Sequence, residues 1–125
     1  YMTDAKRKSF KDLKIWQKGI EIVEAVYTAT GNFPKEEIYG LASQLKRSAV
    51  SIPSNISEGF ARFHSKEYRQ FLYISLGSCG ELTTQLILAY RLKFIDKNNC
   101  DRLLSEIEQL SKMIMSLIKK LNTND

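Results

Sequence analysis

The sequence has few of the residues from which metal, redox and covalent sites are built. It contains one histidine, His64, and two cysteines, Cys79 and Cys100, which lie far apart and form no Cys-x-x-Cys pair. One imidazole and two isolated thiols do not make up a zinc site or a redox pair. We therefore expect no metal and no cofactor, and we expect both cysteines to be reduced.

The chain also lacks long apolar runs and the pattern of a secretory signal. No segment approaches the roughly 20 apolar residues that span a bilayer, and the basic residues Lys6, Arg7 and Lys8 precede no apolar stretch. These features predict a cytoplasmic protein that does not enter the membrane. The length fits one domain, and we assign residues 1–11 to a flexible basic amino terminus and residues 12–122 to a single folded domain.

Acidic residues are fewer than basic ones, which gives a net charge of +5. The basic residues cluster at Lys46 and Arg47, at Arg62, Lys66 and Arg69, at Arg91 and Lys93, and near the amino terminus. Such clusters favour an anionic partner through phosphate contacts, although many proteins of similar charge bind no nucleic acid. Charge alone leaves both interpretations open.

Apolar residues recur at spacings of three and four along almost the whole chain, and no segment alternates like a strand. The spacing and the capping residues predict helices from Asp12 to Thr30, from Pro34 to about Arg62, from Ser65 to about Leu92, and from Asp96 onward. Because the connections are short, neighbouring helices should be antiparallel. We predict an all-α, up-down-up-down four-helix bundle.

Each helix should bury one apolar seam. The predicted seams are Leu13, Trp16, Ile20, Val23 and Tyr27 in the first helix; Ile38, Leu41 or Ala42, Leu45, Ala49, Ile52 and Ile56 in the second; Tyr68, Leu72, Ser75, Cys79, Leu82, Leu86 and Ala89 in the third; and Leu103, Ile107, Leu110, Ile114, Leu117 and Leu121 in the fourth. Further apolar residues flank these seams, including Ile74, Ile87 and Met115. They are compatible with a broad core or with a subunit interface.

One of the two prolines, Pro53, falls inside the second predicted helix. A proline there removes an amide donor, and we expect a kink with freed carbonyl groups. Nearby hydroxyl groups can satisfy them, those of Ser51, Ser54 or Ser57. Two interpretations of the small residues around Pro53 are open. They allow another helix to cross closely, or the kink exposes the backbone and Asn55 to a ligand.

Two glycines, Gly77 and Gly80, lie inside the third predicted helix, where together they cost on the order of 2 kcal/mol relative to alanine. Close approach of another helix would account for them. An antiparallel second helix places the residues around Pro53 opposite those around Cys79. We expect the two small-residue zones to face each other, mainly as a packing feature.

Two acidic residues, Glu58 and Glu81, lie among small or apolar residues, with arginines Arg47, Arg62 and Arg69 within reach as ion-pair partners. Paired carboxylates can also act as acid and base. No nucleophile, phosphate loop or metal set accompanies them, so we do not expect an enzyme.

Aromatic residues accompany the basic cluster between the second and third helices. They are Phe60, Phe63, Tyr68 and Tyr73, beside Arg62, Lys66 and Arg69. This mixture suits phosphate contact with base stacking. It equally suits a solvated helix start whose aromatic groups belong to the core, and spacing does not separate the two.

Residues 33–41, 44–62 and 71–82 resemble the four-helix bundle proteins encoded by intervening sequences within bacterial 23S ribosomal RNA genes. The family's central motif is matched at Arg47, Ser51, Pro53, Asn55, Glu58, Gly59 and Arg62, whereas Lys46 replaces the usual arginine and Ser57 the usual alanine. The resemblance implies a basic bacterial bundle that assembles as a homopentamer around a central axis. The chain is also similar to accessory proteins of diversity-generating retroelements, which work with a reverse transcriptase and its template RNA. Neither relative implies an enzyme, and the family name does not settle the biochemical role of the intervening-sequence proteins.

The leading hypothesis is a non-enzymatic homo-oligomer that binds structured RNA or DNA. The candidate phosphate contacts are Arg47, Arg62, Lys66, Arg69 and Lys46 together with the amino-terminal lysines, and the candidate structural residues are Ser51, Pro53, Asn55, Glu58, Gly59, Gly77 and Glu81. The alternative is a protein interaction scaffold, for example one that recruits a polymerase, without direct nucleic-acid binding.

Overall fold

The computed structural model of the protein describes residues 9–123, and this part of the chain is helical and contains no strand. Its elements are two short 3₁₀ helices, Phe10–Asp12 and Lys35–Glu37, and four α-helices, α1 (Lys14–Thr30), α2 (Leu41–Phe60), α3 (Ser65–Arg91) and α4 (Lys97–Thr123). Each α-helix packs against the next, and α1 also packs against α4. The predicted four-helix bundle is confirmed.

The helix boundaries follow local capping. Asp96 caps α4 as expected, because its Oδ1 accepts a hydrogen bond of 2.7 Å from the amide of Asn99. The start of α1 differs by two residues from the prediction, since Asp12 belongs to the preceding short helix and Leu13 takes the N-cap position. Most of the predicted flexible amino terminus, residues 1–8, lies outside the described residues.

The start of α2 was predicted too early. A short 3₁₀ helix and a turn occupy residues 35–40, and α2 begins at Leu41. The side chain of Glu37 explains this boundary, because its Oε1 accepts a 3.0 Å hydrogen bond from the amide of Leu41. Ile38 consequently lies outside the helix and is exposed rather than part of the seam.

The seams of the other helices are largely as predicted. Every predicted seam residue of α3 is buried, as are those of α2 from Leu41 onward. In α4 the last turns bury Ile118 instead of Leu117, which is half-buried. The main error is in α1, whose buried residues are Ile15, Gly19, Ile22, Val26 and Thr30. The predicted seam residue Tyr27 is exposed.

The stripe in α1 is displaced because α1 crosses α2 at Pro53. A Cβ atom added to Gly19 would lie 3.3 Å from the Cβ of Pro53, so the two residues are in close contact. Pro53 is buried, and the core-packing interpretation of this residue is therefore correct. A pattern based on apolar residues passes over glycine, which is why the sequence did not indicate this crossing.

The two small-residue zones face each other as predicted, since Ser75 and Ser78 contact Ile52 and Ser51, but the glycines of α3 do not take part. A Cβ atom added to Gly77 or Gly80 would meet nothing within 4 Å, and both glycines are exposed. The glycine that allows α2 and α3 to approach is Gly59, where an added Cβ would lie 2.8 Å from the Cβ of Phe71. The glycines of α3 point away from α2, although the expected antiparallel register of the two helices is present.

Hydrogen bonds of side chains fix this register. Ser75 donates to the carbonyl of Ile52 at 2.9 Å, and the hydroxyl groups of Ser78 and Ser51 are 2.8 Å apart. Within α2, Asn55 donates to the carbonyl of Ser51 at 2.9 Å and to its hydroxyl at 3.0 Å. The polar residues around Pro53 thus satisfy backbone and side-chain groups between two helices.

Candidate nucleic-acid interface at the basic end of the bundle

The topology brings the start of α1, the end of α2, the start of α3 and the end of α4 to one end of the bundle. Gly59 packs against Tyr68 and Phe71, and Arg69 donates a 3.1 Å hydrogen bond to the carbonyl of Leu121. The short helix before α1 also contacts α2. We call this end the basic end and define it as residues 9–14, 58–69 and 117–123.

Charge is distributed unevenly between the two ends. The basic end contains seven lysines or arginines and three acidic residues, whereas the opposite end, residues 24–47 and 91–102, contains seven lysines or arginines and five acidic residues. The basic residues are Lys11, Lys14, Arg62, Lys66, Arg69, Lys119 and Lys120. An excess of one sign at one end attracts and orients anionic partners.

Arg62 is held in place by two neighbours. Its Nη2 lies 3.1 Å from Oε1 of Glu58, and its guanidinium carbon lies 4.8 Å from the centre of the Phe71 ring. An exposed ion pair of this kind contributes roughly 0 to 1 kcal/mol. The predicted pairing of Glu58 with a nearby arginine is present, but the pair lies at the exposed surface of the basic end rather than in a buried site.

Arg69 has a structural contact that the sequence did not indicate. Its Nη1 donates to the carbonyl of Leu121 in the last turn of α4. A cation is favourable there because the carboxyl end of a helix carries partial negative charge. Arg69 therefore ties α3 to α4, whereas Lys66 is exposed at the surface.

The structure separates Lys46 and Arg47 from the other candidate phosphate contacts. Arg47 lies 13 residues before Phe60, the last residue of α2, which corresponds to about 20 Å along the helix axis, and Arg62 follows the end of that helix. The ammonium of Lys46 lies 4.9 Å from the centre of the Tyr27 ring, a cation–π contact between α2 and α1. Arg47 is exposed. These two residues do not belong to the basic end.

Two further lysines of the basic end, Lys119 and Lys120, were not predicted from the sequence. Both are exposed in the last turns of α4. Basic residues are common in the last turn of a helix, so the sequence alone gave no reason to assign these two lysines to a phosphate site. The antiparallel topology provides the missing information, because it places the end of α4 beside the start of α3.

The aromatic residues near the basic cluster divide into two groups. Phe60 and Tyr68 contact each other edge to face, with ring centres 6.2 Å apart, and Tyr68 is buried. They belong to the core, as one of the two interpretations expected. Phe63, in the turn between α2 and α3, is 91% exposed.

The two carboxylates considered for catalysis lie on open surface. Glu58 pairs with Arg62, and Glu81 is exposed on α3. Cys79 and Cys100 are both buried, and burial raises the pKa of each thiol. Within residues 9–123, no three histidine, cysteine or acidic side chains form a group that could hold a metal ion.

The solvent-facing side of α3 is unusually apolar. Residues 70–90 contain one charged residue, Glu81. Tyr73, Ile74, Ile87 and Leu88 are all more than 40% exposed, and Gly77 and Gly80 lie between them in the sequence. We call this surface the outer face of α3. Helices at a protein surface normally place polar residues on that side.

No helix among the described residues has the length and apolar character required to cross a membrane.

Comparison with known proteins is consistent with this fold. A crystal structure from Bacteroides thetaiotaomicron, of a protein of unknown function from the S23 ribosomal protein family, matches with a TM-score of 0.78 and 21% sequence identity. The match covers 84% of this chain and 98% of the other. No curated protein matches. The family model described as 23S rRNA-intervening sequence protein matches residues 11–116, and the chain therefore belongs to that family.

Proposed function

We propose that the protein is a non-enzymatic nucleic-acid-binding protein that contacts the phosphates of structured RNA or DNA with its basic end. The observation that carries this proposal is the charge difference between the two ends of the bundle. Phosphate contacts supply most of the affinity of non-specific nucleic-acid binding. The buried, reduced thiols of both cysteines suit a cytoplasmic protein.

The chemistry of the basic end favours contact with the backbone rather than with base edges. Lys11, Lys14, Lys66, Lys119 and Lys120 are all exposed. A lysine ammonium is a compact point charge on a flexible side chain, and it binds phosphate without a fixed geometry. We therefore expect similar affinity for different sequences and a strong dependence on salt.

We further propose that copies of the protein assemble through the outer face of α3. A chain with a net charge of +5 repels its own copies, and this face, with its single charged residue, is where such repulsion is smallest. The exposed Gly77 and Gly80 leave space for a close approach of backbone. The family resemblance implies five copies around a central axis. Cyclic symmetry then places all basic ends on the same side, which multiplies phosphate contacts.

Light scattering tests the binding proposal. The purified protein is measured alone and with a structured RNA while the salt concentration is increased from low to above physiological. We expect a stable oligomer that forms a larger complex with RNA at low salt and releases it as salt rises. An oligomer that ignores RNA at every salt concentration contradicts the proposal.

A substitution on the outer face of α3 tests the assembly proposal. Ile74→Glu places a charge on that face, and we expect particles of 14.4 kDa by multi-angle light scattering with the helical circular dichroism retained. Ile38→Glu is the matched control, because Ile38 is similarly exposed but lies in the connection before α2. Unchanged assembly of the Ile74 variant contradicts this role of α3.

A protein scaffold is the second candidate function, and the same apolar face of α3 favours it. A helix of another protein can pack on this face as well as a second copy can. In that case the basic residues serve solubility, and polyanions do not compete with the partner. Competition by RNA or heparin contradicts the scaffold.

A further inference from the structure

The most exposed aromatic side chain of the basic end is Phe63. It lies in the four-residue connection between α2 and α3, and 91% of its surface is accessible. A single exposed apolar residue is ordinary. Phe63 differs from an ordinary exposed apolar residue because it lies among the basic side chains of the basic end.

The backbone on both sides of Phe63 is anchored. The amide of Arg62 donates a 3.0 Å hydrogen bond to the carbonyl of Gly59, and the amide of Tyr68 donates a 3.1 Å hydrogen bond to the carbonyl of His64. The side chain of Arg62 is held against Phe71. The ring of Phe63 is therefore presented by a short connection between two packed helices.

The charged residues around Phe63 are mainly cationic. Arg62 precedes it directly, and the exposed Lys66 follows three residues later. Lys119 and Lys120 lie at the same end of the bundle through the contact between Arg69 and Leu121. A ligand that combines negative charge with an aromatic face matches this combination.

The opposite end provides an internal comparison. Tyr39 is 96% exposed in the connection between α1 and α2. Its neighbours include Glu36 and Glu37, and the excess of basic over acidic residues at that end is smaller than at the basic end. An exposed ring thus occurs at both ends of the bundle, and the ring of Phe63 lies at the end with the larger excess of positive charge.

We propose that Phe63 is a stacking platform for an unpaired nucleobase, so that the nucleic acid held at the basic end is single-stranded at this point. This proposal rests on the proposed function. Cations track the phosphates while an aromatic ring stacks on a base, an arrangement that tolerates any sequence. In a duplex each base is stacked between its neighbours, and a loop, bulge or end presents a free base face.

Binding measurements on single-stranded and duplex RNA test this role. Fluorescence anisotropy compares a labelled 16-nucleotide single strand with a duplex of equal phosphate number at one salt concentration, with an excess of protein. We expect Phe63→Ala to weaken single-strand binding by about tenfold and to leave duplex binding unchanged. Phe63→Trp should retain single-strand binding and show quenched fluorescence in the complex. Tyr39→Ala should alter neither affinity.

The outcomes separate this inference from the proposed function. Wild-type protein that binds RNA in a salt-dependent manner, with a Phe63→Ala variant that binds the single strand equally well, overturns the stacking role and leaves the phosphate interface standing. Equal weakening on the duplex also overturns it. If neither RNA binds at any salt concentration, both the proposed function and the stacking role are overturned.

Discussion

Residues of the same type can be tightly packed at one position of this bundle and open to solvent at another, as two of its glycines show. Gly59 is where α2 and α3 touch, since an added Cβ would lie 2.8 Å from Phe71 Cβ and 2.9 Å from Tyr68 Cδ1. Gly77 has open space around it. The sequence alone does not distinguish the two glycines, because the distinction depends on which side of each helix faces the partner.

Gly59→Ala should destabilise the fold. The added methyl group must displace Tyr68 or Phe71, and overpacking of this kind costs about 1–3 kcal/mol. Urea unfolding followed by circular dichroism measures the change. The control is Ser54→Ala on the exposed side of the same helix, which should stay within about 0.5 kcal/mol of the wild type. Equal stability of the two variants would show that α2 and α3 are not in close contact at Gly59.

The buried cysteines provide a second prediction for single residues. Burial raises the pKa of Cys79 and Cys100, and the thiolate is the reactive form. Both thiols should therefore react slowly with Ellman's reagent in the native protein and rapidly in urea. A thiol that reacts at the same rate in both conditions is not buried.

The same pKa shifts fix the direction of the pH dependence. The folded protein holds these thiol protons more tightly than the unfolded chain does. This contribution to the free energy of unfolding is complete below the ordinary thiol pKa and is lost as pH rises through the raised values. The urea midpoint should fall in alkaline solution, and Cys79→Ala should reduce that fall. A midpoint that rises there contradicts the assignment.

At the scale of the elements, helices α2 and α3 form the most extensive pair. The seam of α3 was predictable because its apolar and small residues keep helical spacing without interruption. The seam of α1 was not, since Gly19 lies at its centre and a glycine gives no apolar signal. The start of α2 was missed because a side chain, Glu37, decides it rather than the proline three residues earlier.

The hydrogen bond between Ser51 and Ser78 joins these two helices, and a double-mutant cycle should measure its contribution. We expect a coupling of about 0.5–1.5 kcal/mol between Ser51→Ala and Ser78→Ala in urea unfolding. Asn55 also donates to Ser51, so Ser51→Ala should be the more destabilising single change. Additive effects would show that the two hydroxyl groups do not interact. The control cycle pairs Ser57→Ala with Ser78→Ala. The hydroxyl of Ser57 donates to the carbonyl of Ser54 within α2, so these two substitutions should show no coupling.

At the scale of the whole molecule, the proposed phosphate binding depends on which basic residues the helix topology places at the same end of the bundle. The sequence indicated Arg62, Lys66 and Arg69, and the structure adds Lys119 and Lys120 to the same end while leaving Lys46 and Arg47 elsewhere. Sequence clustering finds basic residues that are close along the chain. It does not find those that antiparallel helices bring together from distant segments.

The most direct test of the phosphate interface compares the salt dependence of RNA affinity for variants of the two ends. We predict that Lys119→Ala/Lys120→Ala weakens binding to all sequences alike and makes the slope of log affinity against log salt shallower by about 0.7–0.9 for each phosphate that the variant no longer neutralises. Lys35→Ala/Lys93→Ala removes the same charge from the opposite end and should leave the slope unchanged. Equal slopes for the two double variants would contradict the assignment of phosphate binding to the basic end.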